Sequence, residues 1–202
     1  MQKSIGIFLF NGAEVLDFAG PFEAFTTASR LCERAGKERP FNVFTFATTK
    51  KNIIAREGLE ISPTFDLQNV PAMNILIIPG GVSDEPQGQE EVMEFLRQAV
   101  KNKVETVASV CTGTFILAKA GILKGLKATT HWNHTKKLKK AFPDIDVIEG
   151  VKYADQGGVL TAAGVASGIT MSLYLISRIV NEALAERTAK EIEFPYSPEN
   201  AL

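Results

Sequence analysis

Apolar positions along this chain fall into two patterns that alternate. Short continuous apolar runs occur at 4–10 (SIGIFLF), 41–48 (FNVFTFAT), 74–81 (NILIIPGG) and 104–110 (VETVASV). Their length and their β-branched and aromatic content are those of strands buried on both faces. Between them, apolar residues recur at helical spacing: from about Pro21 to Arg34, then over 90–102, where Val92, Phe95, Leu96 and Ala99 share one side, and over 112–121, where Gly121 stops the run. Strand-like segments follow at 127–130, 147–153 and 159–162, then one long helix over 166–189, while 51–63 reads as a small hairpin beside the main sheet. The alternation predicts an α/β fold, a mostly parallel sheet covered by helices on both sides. No repeat, low-complexity tract or linker interrupts it, so one domain over 1–202 is expected.

In sheets of this kind ligands bind outside the carboxyl ends of the strands, near a reversal of strand order. Three segments end there: the loop at 11–21, the Pro79-Gly80-Gly81 turn and Cys111. They are expected to meet in space. The stretch 157–177 carries no charge and is long enough to span a bilayer, but Gly157, Gly158, Gly164 and Gly168 with several Ser and Thr break it into strand, turn and helix. No membrane partner is therefore expected.

Composition adds exclusions. With 202 residues, 45% hydrophobic, 22% charged and a formal net charge of -1, the chain resembles an ordinary globular protein and lacks the bulk positive charge of a nucleic-acid binder. Its one basic cluster, Lys136, Lys137, Lys139 and Lys140, fits a solvated helix face. Cys32 and Cys111 are the only cysteines, too few for a disulfide framework, and the first apolar run ends at Phe10 without a small-residue cleavage site. A cytoplasmic location is expected.

Cys111 carries the candidate chemistry. It stands where a strand gives way to a helix, in Ser109-Val110-Cys111-Thr112-Gly113, with small residues two before and two after it, as in a nucleophile elbow. That setting predicts an exposed sulfur at a helix N-terminus, with a lowered thiol pKa. Cys32, in mid-helix, reads as structural. The N–H groups of Gly80, Gly81 and Thr112 are candidate donors to charge developing beside the sulfur. Asp17, between Leu16 and Phe18, is either a general acid with a raised pKa or a helix N-cap. His131 and His134 are the only histidines; either could pair with the cysteine, and His131 is kept as a candidate. Two histidines without an acidic cluster at ligand spacing predict no metal site, and neither a P-loop nor a dinucleotide fingerprint is present, so no cofactor is expected. Gly164 and Gly168 read as close helix packing.

The segments IGIFLFNGAEVLDFAGPFEAF, ILIIPGG, SVCTGTFILAKAGILKGLKATTHW and LTAAGVASGITMSLYLISRIV, in this order, resemble the ThiJ/PfpI superfamily. The resemblance implies a flavodoxin-like sandwich with Cys111 as the elbow nucleophile. The chain is most similar to the branch of isocyanide hydratases and the ligand-binding domains of AraC-type regulators, in which Asp17 matches the acidic residue beside the cysteine. Thr112 departs from the histidine that protease and deglycase members carry there, which counts against their Cys-His arrangement. The resemblance implies a small-molecule substrate, no cofactor, a homodimer, and hydration of isocyanides to N-substituted formamides through a thioimidate on Cys111 with Asp17 as general acid and base. Trp132 or Phe18 would wall the substituent or pack the core. A ligand or redox sensor of the same fold, or an amidase- or deglycase-type activity, are the alternatives.

Overall fold

The computed structural model describes residues 2–102 and 104–197. In chain order the elements are β1 (Lys3–Phe8), α1 (Val15–Arg34), β2 (Phe41–Ala47), β3 (Ile53–Ile54), β4 (Glu60–Ile61), β5 (Phe65–Asp66), β6 (Ile75–Ile78), α2 (Asp84–Gly88), α3 (Glu90–Lys101) and β7 (Thr106–Val110). There follow α4 (Gly113–Lys119), β8 (Lys127–Ala128), α5 (Thr135–Ala141), β9 (Asp146–Val147), β10 (Tyr153–Asp155), β11 (Val159–Ala162), α6 (Ser167–Ile179) and α7 (Glu182–Glu191).

Seven strands form the central sheet in the order β10-β11-β7-β6-β1-β2-β5. Every pairing in it is parallel except β10 with β11. The central strands are sequestered on both faces: Ile5, Ile7, Ile75, Leu76, Ile77, Ile78, Val107 and Ala108 are all buried. This is why they read as unbroken apolar runs. Helices α1, α6 and α7 pack on one another, and α2, α3 and α4 form a second group. The flavodoxin-like, mostly parallel sheet flanked by helices is thus the fold of this chain. The hairpin expected at 51–63 is present as the antiparallel pair β3 and β4.

Chain order runs outward from β1 to β2 on one side, then resumes at β6 on the other. The reversal of strand order therefore lies between β1 and β6, and β7, the strand that carries Cys111, is the next neighbour. The 157–177 stretch is β11, a turn and most of α6, and no helix among the described residues is long and apolar enough to cross a membrane.

Three element boundaries differ from the sequence reading. Helix α1 starts at Val15 instead of near Pro21, so Asp17 stands in its first turn and Pro21 lies inside. Gly20 is there for packing: a Cβ on it would sit 2.8 Å from Ile169 Cγ1 of α6. The long helix at 166–189 is two helices, because Asn181 is extended (φ -177°, ψ 164°) and its side chain accepts the Leu184 N–H at 2.9 Å, starting α7 afresh. The segment 147–153 is not one strand: a turn at Gly150 (φ 79°) separates β9, which pairs with β8, from β10 at the sheet edge.

Candidate active site

The three segments expected at the strand ends meet. The Glu14 N–H donates to the Gly80 carbonyl at 2.8 Å, the Val82 N–H to the Gly12 carbonyl at 2.9 Å, and Ala13 bridges Gly81. Across the turn the Gly80 N–H donates to Asp17 Oδ2 at 2.9 Å, and the Gly81 N–H donates to Thr112 Oγ1 at 2.8 Å. The Thr112 hydroxyl returns a bond to the Gly81 carbonyl at 2.9 Å. Glycine is required at 80 by close approach: a Cβ there would lie 2.6 Å from the Thr112 nitrogen and 2.8 Å from Asp17 Oδ2.

Cys111 sits at φ 55°, a left-handed conformation that non-glycine residues adopt at a cost. Its backbone is held there by its N–H bonding to the Ala162 carbonyl at 3.0 Å and by the Thr130 hydroxyl donating to its carbonyl at 2.7 Å. Helix α4 begins two residues later at Gly113. The strained strand-to-helix elbow is therefore realised in its backbone.

The environment of the sulfur corrects two expectations. Cys111 is buried, with 8% of its surface exposed, and its thiol pKa is pushed up to about 12 instead of down. Burial is the largest cause and the Asp17 carboxylate the next; the Thr112 N–H and hydroxyl pull the other way, and Glu14 adds to the rise. A seven-residue helix favours a nearby anion by at most about 2 kcal/mol, while burial can raise a thiol by several pKa units, so burial wins.

Asp17 is fully buried, and desolvation pushes its carboxyl up to about 7. The Gly80 N–H opposes the rise, Glu14 reinforces it, and the Cys111 side chain lowers it. Its second oxygen, Oδ1, is buried without a hydrogen-bond partner among the described residues. The N-cap alternative is excluded, since Glu14 holds that position without a side-chain cap bond and Asp17 faces the Gly80 turn. The result is a neutral thiol beside a carboxyl that exchanges its proton near neutral pH.

The other candidates divide. The Gly80 and Gly81 N–H groups are committed to Asp17 and Thr112, so they organise the site and are not free donors to an oxyanion. His131 is not bonded to Cys111: its Nδ1 accepts the Asn133 N–H at 3.3 Å and its ring stands 5.5 Å from that of Trp132. Phe18 packs in the core, while Trp132 is 77% exposed. Gly168 packs closely as expected, its Cβ position lying 3.1 Å from Val110 Cγ1. Gly164 does not fit the packing reading: at φ 137° it lies over the Cys111 side chain, its Cβ position 3.1 Å from Cys111 Sγ.

Gly164, Thr130 and Glu14 are the site residues that the sequence reading missed. All three lie inside the segments that carry the family resemblance, so position along the chain was the available signal. Cys32 lies in α1, partly buried. Among the described residues no three His, Cys, Asp or Glu side chains cluster as metal ligands.

Two cavities flank the elbow. One of about 630 Å³ opens at Gly81 and Thr112 and is walled by Phe115, Phe142 and His134. The other, about 450 Å³, opens at Gly164 and Thr130 and includes Trp132.

The chain is 26% identical over 201 residues to the isonitrile hydratase of Pseudomonas putida, covering 98% of this chain and 81% of that one. It is 29% identical over 176 residues to the HTH-type transcriptional regulator GbdR of Pseudomonas aeruginosa, covering 87% of this chain but 46% of the regulator. The crystal structure of a THiJ/PfpI family protein from Pseudomonas syringae superposes with a TM-score of 0.84 at 25% identity, over 98% of this chain and 78% of that one. The family match spans residues 3–178, from the first strand through nearly all of α6, so it takes in every segment that builds the elbow, and the chain belongs to the DJ-1/PfpI family.

Proposed function

We propose that this protein hydrates isocyanides to N-substituted formamides, with Cys111 as nucleophile and Asp17 as the proton carrier. The observation that carries the reading is the buried pair itself: a thiol held neutral next to a carboxyl pushed up to about 7. A group whose pKa lies near the working pH is the best placed to take and return a proton.

The sulfur attacks the terminal carbon of R–N≡C as its proton passes to the Asp17 carboxylate. The new C–S bond leaves an electron pair on that same carbon, and Asp17 returns the proton to it, giving the thioimidate R–N=CH–S. Water then adds across the C=N bond, its oxygen to carbon, and the nitrogen gains a proton by way of Asp17. Cleavage of the C–S bond sends the electron pair back to sulfur, which regains a proton from the hydroxyl, and R–NH–CHO leaves.

Of the three candidate donors, the Gly80 and Gly81 N–H groups are committed elsewhere and only the Thr112 N–H faces the sulfur, which supports this chemistry over amide or deglycase chemistry. Acyl transfer builds an oxyanion that needs free N–H donors. Isocyanide addition builds its charge on carbon, where a proton quenches it. Thr112, in place of the histidine of the deglycase members, points the same way. The family resemblance further supports a homodimer, while the uninterrupted strand–helix alternation supports one domain over 1–202 and the lack of a disulfide framework supports a cytoplasmic location.

The test is formation of N-cyclohexylformamide from cyclohexyl isocyanide in reducing buffer, comparing wild type with Cys111→Ala. Turnover that falls to background in the variant is the expected result. Equal rates in the two proteins would overturn the nucleophile assignment, and no turnover in wild type would favour the ligand-sensor reading.

A further inference from the structure

The larger of the two cavities beside the elbow is lined by more positive than negative charge. The chain as a whole carries a formal charge of -1, yet the groups lining this cavity include Arg56, Lys119 and Lys137 against the single acid Asp84. The cations arrive from three separate segments: the turn between β3 and β4, the last residue of α4, and α5. A solvated face of one helix would not bring them together.

Their partners distinguish them further. Arg56 is held by Glu14 at 3.3 Å, and Lys139, the next lysine along α5 on another face, is held by Glu149 at 3.5 Å. Lys119 and Lys137 have no ion pair among the described residues. Lys137 Nζ stands 5.6 Å from the centre of the Phe115 ring, on the cavity wall. Its charge is felt by His134, three residues before it at the start of α5, whose pKa is lowered by burial first, then by His131 and Lys137. At about 630 Å³ the space suits a small molecule, and Phe115 and Phe142 give it an apolar wall.

We propose that the substrate of this site carries an anionic group, a carboxylate or a phosphate, received by Lys119 and Lys137 while its reactive carbon lies at the Gly81–Thr112 end beside Cys111. The proposal rests on the reading of Cys111 as the nucleophile. An unpaired ammonium on a flexible stem suits either anion, because it acts as a point charge without demanding bidentate geometry. The aromatic wall accommodates the body between the two ends.

The experiment measures alkylation of Cys111, located by peptide mass, so that it does not depend on isocyanide turnover. The probes are 4-(bromomethyl)benzoate, 4-(bromomethyl)phenylphosphonate and the uncharged 4-(bromomethyl)benzamide. Each rate is divided by that of the same reagent with a small free thiol at the same pH. In wild type at low salt the anionic reagents should exceed the amide by about 5- to 10-fold, the effect of two partly screened charges. Lys119→Met/Lys137→Met should abolish the preference, and Lys140→Met, on the same helix but away from the cavity, should keep it.

The faster of benzoate and phosphonate identifies the anion. Equal normalised rates for charged and uncharged reagents in wild type, a preference that survives the double substitution, or no labelling of Cys111 by any reagent would overturn the proposal. An anion preference in a protein that forms no formamide would overturn the hydratase reading alone. Formamide formation without a charge preference would overturn the anion site alone.

Discussion

Cys111 keeps a left-handed backbone at φ 55° although it has a Cβ, and such a conformation costs a non-glycine residue about 1–2 kcal/mol. The fold retains the strain because the turn sets the sulfur between Gly164 and the Asp17–Gly80–Thr112 cluster. Cys111→Gly should therefore be more stable than Cys111→Ala by about 1 kcal/mol in urea denaturation, since only glycine relieves the strain and both lack the sulfur. Equal stability would mean that the backbone at 111 is relaxed. The wrong expectation for the thiol arose at this level too. Sequence shows a helix about to begin, which favours the thiolate, but not that the sulfur is covered or that a carboxylate folds in beside it from almost a hundred residues earlier in the chain.

Among the elements, the central strands were the most legible, because a strand buried on both faces writes itself as an unbroken apolar run such as Ile75 to Ile78. Helix ends were less so. Apolar spacing continues across Val180 and Asn181, so periodicity alone joins α6 to α7; the break is made by one extended residue whose side chain caps the next helix. Asn181→Ala should cost about 1 kcal/mol, read as a lower urea midpoint at unchanged m-value, as for other lost N-caps. An unchanged midpoint would show that the α7 start is set by packing alone. The start of α1 was misplaced for the opposite reason. Gly20-Pro21 looks like a helix opening, whereas Gly20 admits Ile169 and the helix begins at Val15, which puts Asp17 on its first turn facing the Gly80 N–H.

Taken whole, the molecule builds its site where chain order reverses between β1 and β6, and the convergence of 11–21, Gly80-Gly81 and Cys111 was legible because all three follow the carboxyl ends of strands in one sheet. What the sequence did not carry was the direction of each hydrogen bond and each pKa, because these depend on burial and on which oxygen or N–H faces which. The Asp17 proton is the point on which the proposed chemistry turns. Its carboxylate form accepts the thiol proton, so kcat/KM for cyclohexyl isocyanide should rise about tenfold per pH unit below neutrality and level off above about 7, where Asp17 is ionised. In Asp17→Asn that inflection should vanish and the rate should fall by about 100-fold or more. A wild-type profile that is flat through neutrality and climbs only toward the thiol pKa, with Asp17→Asn following the same curve, would contradict the assignment of Asp17 as the proton carrier.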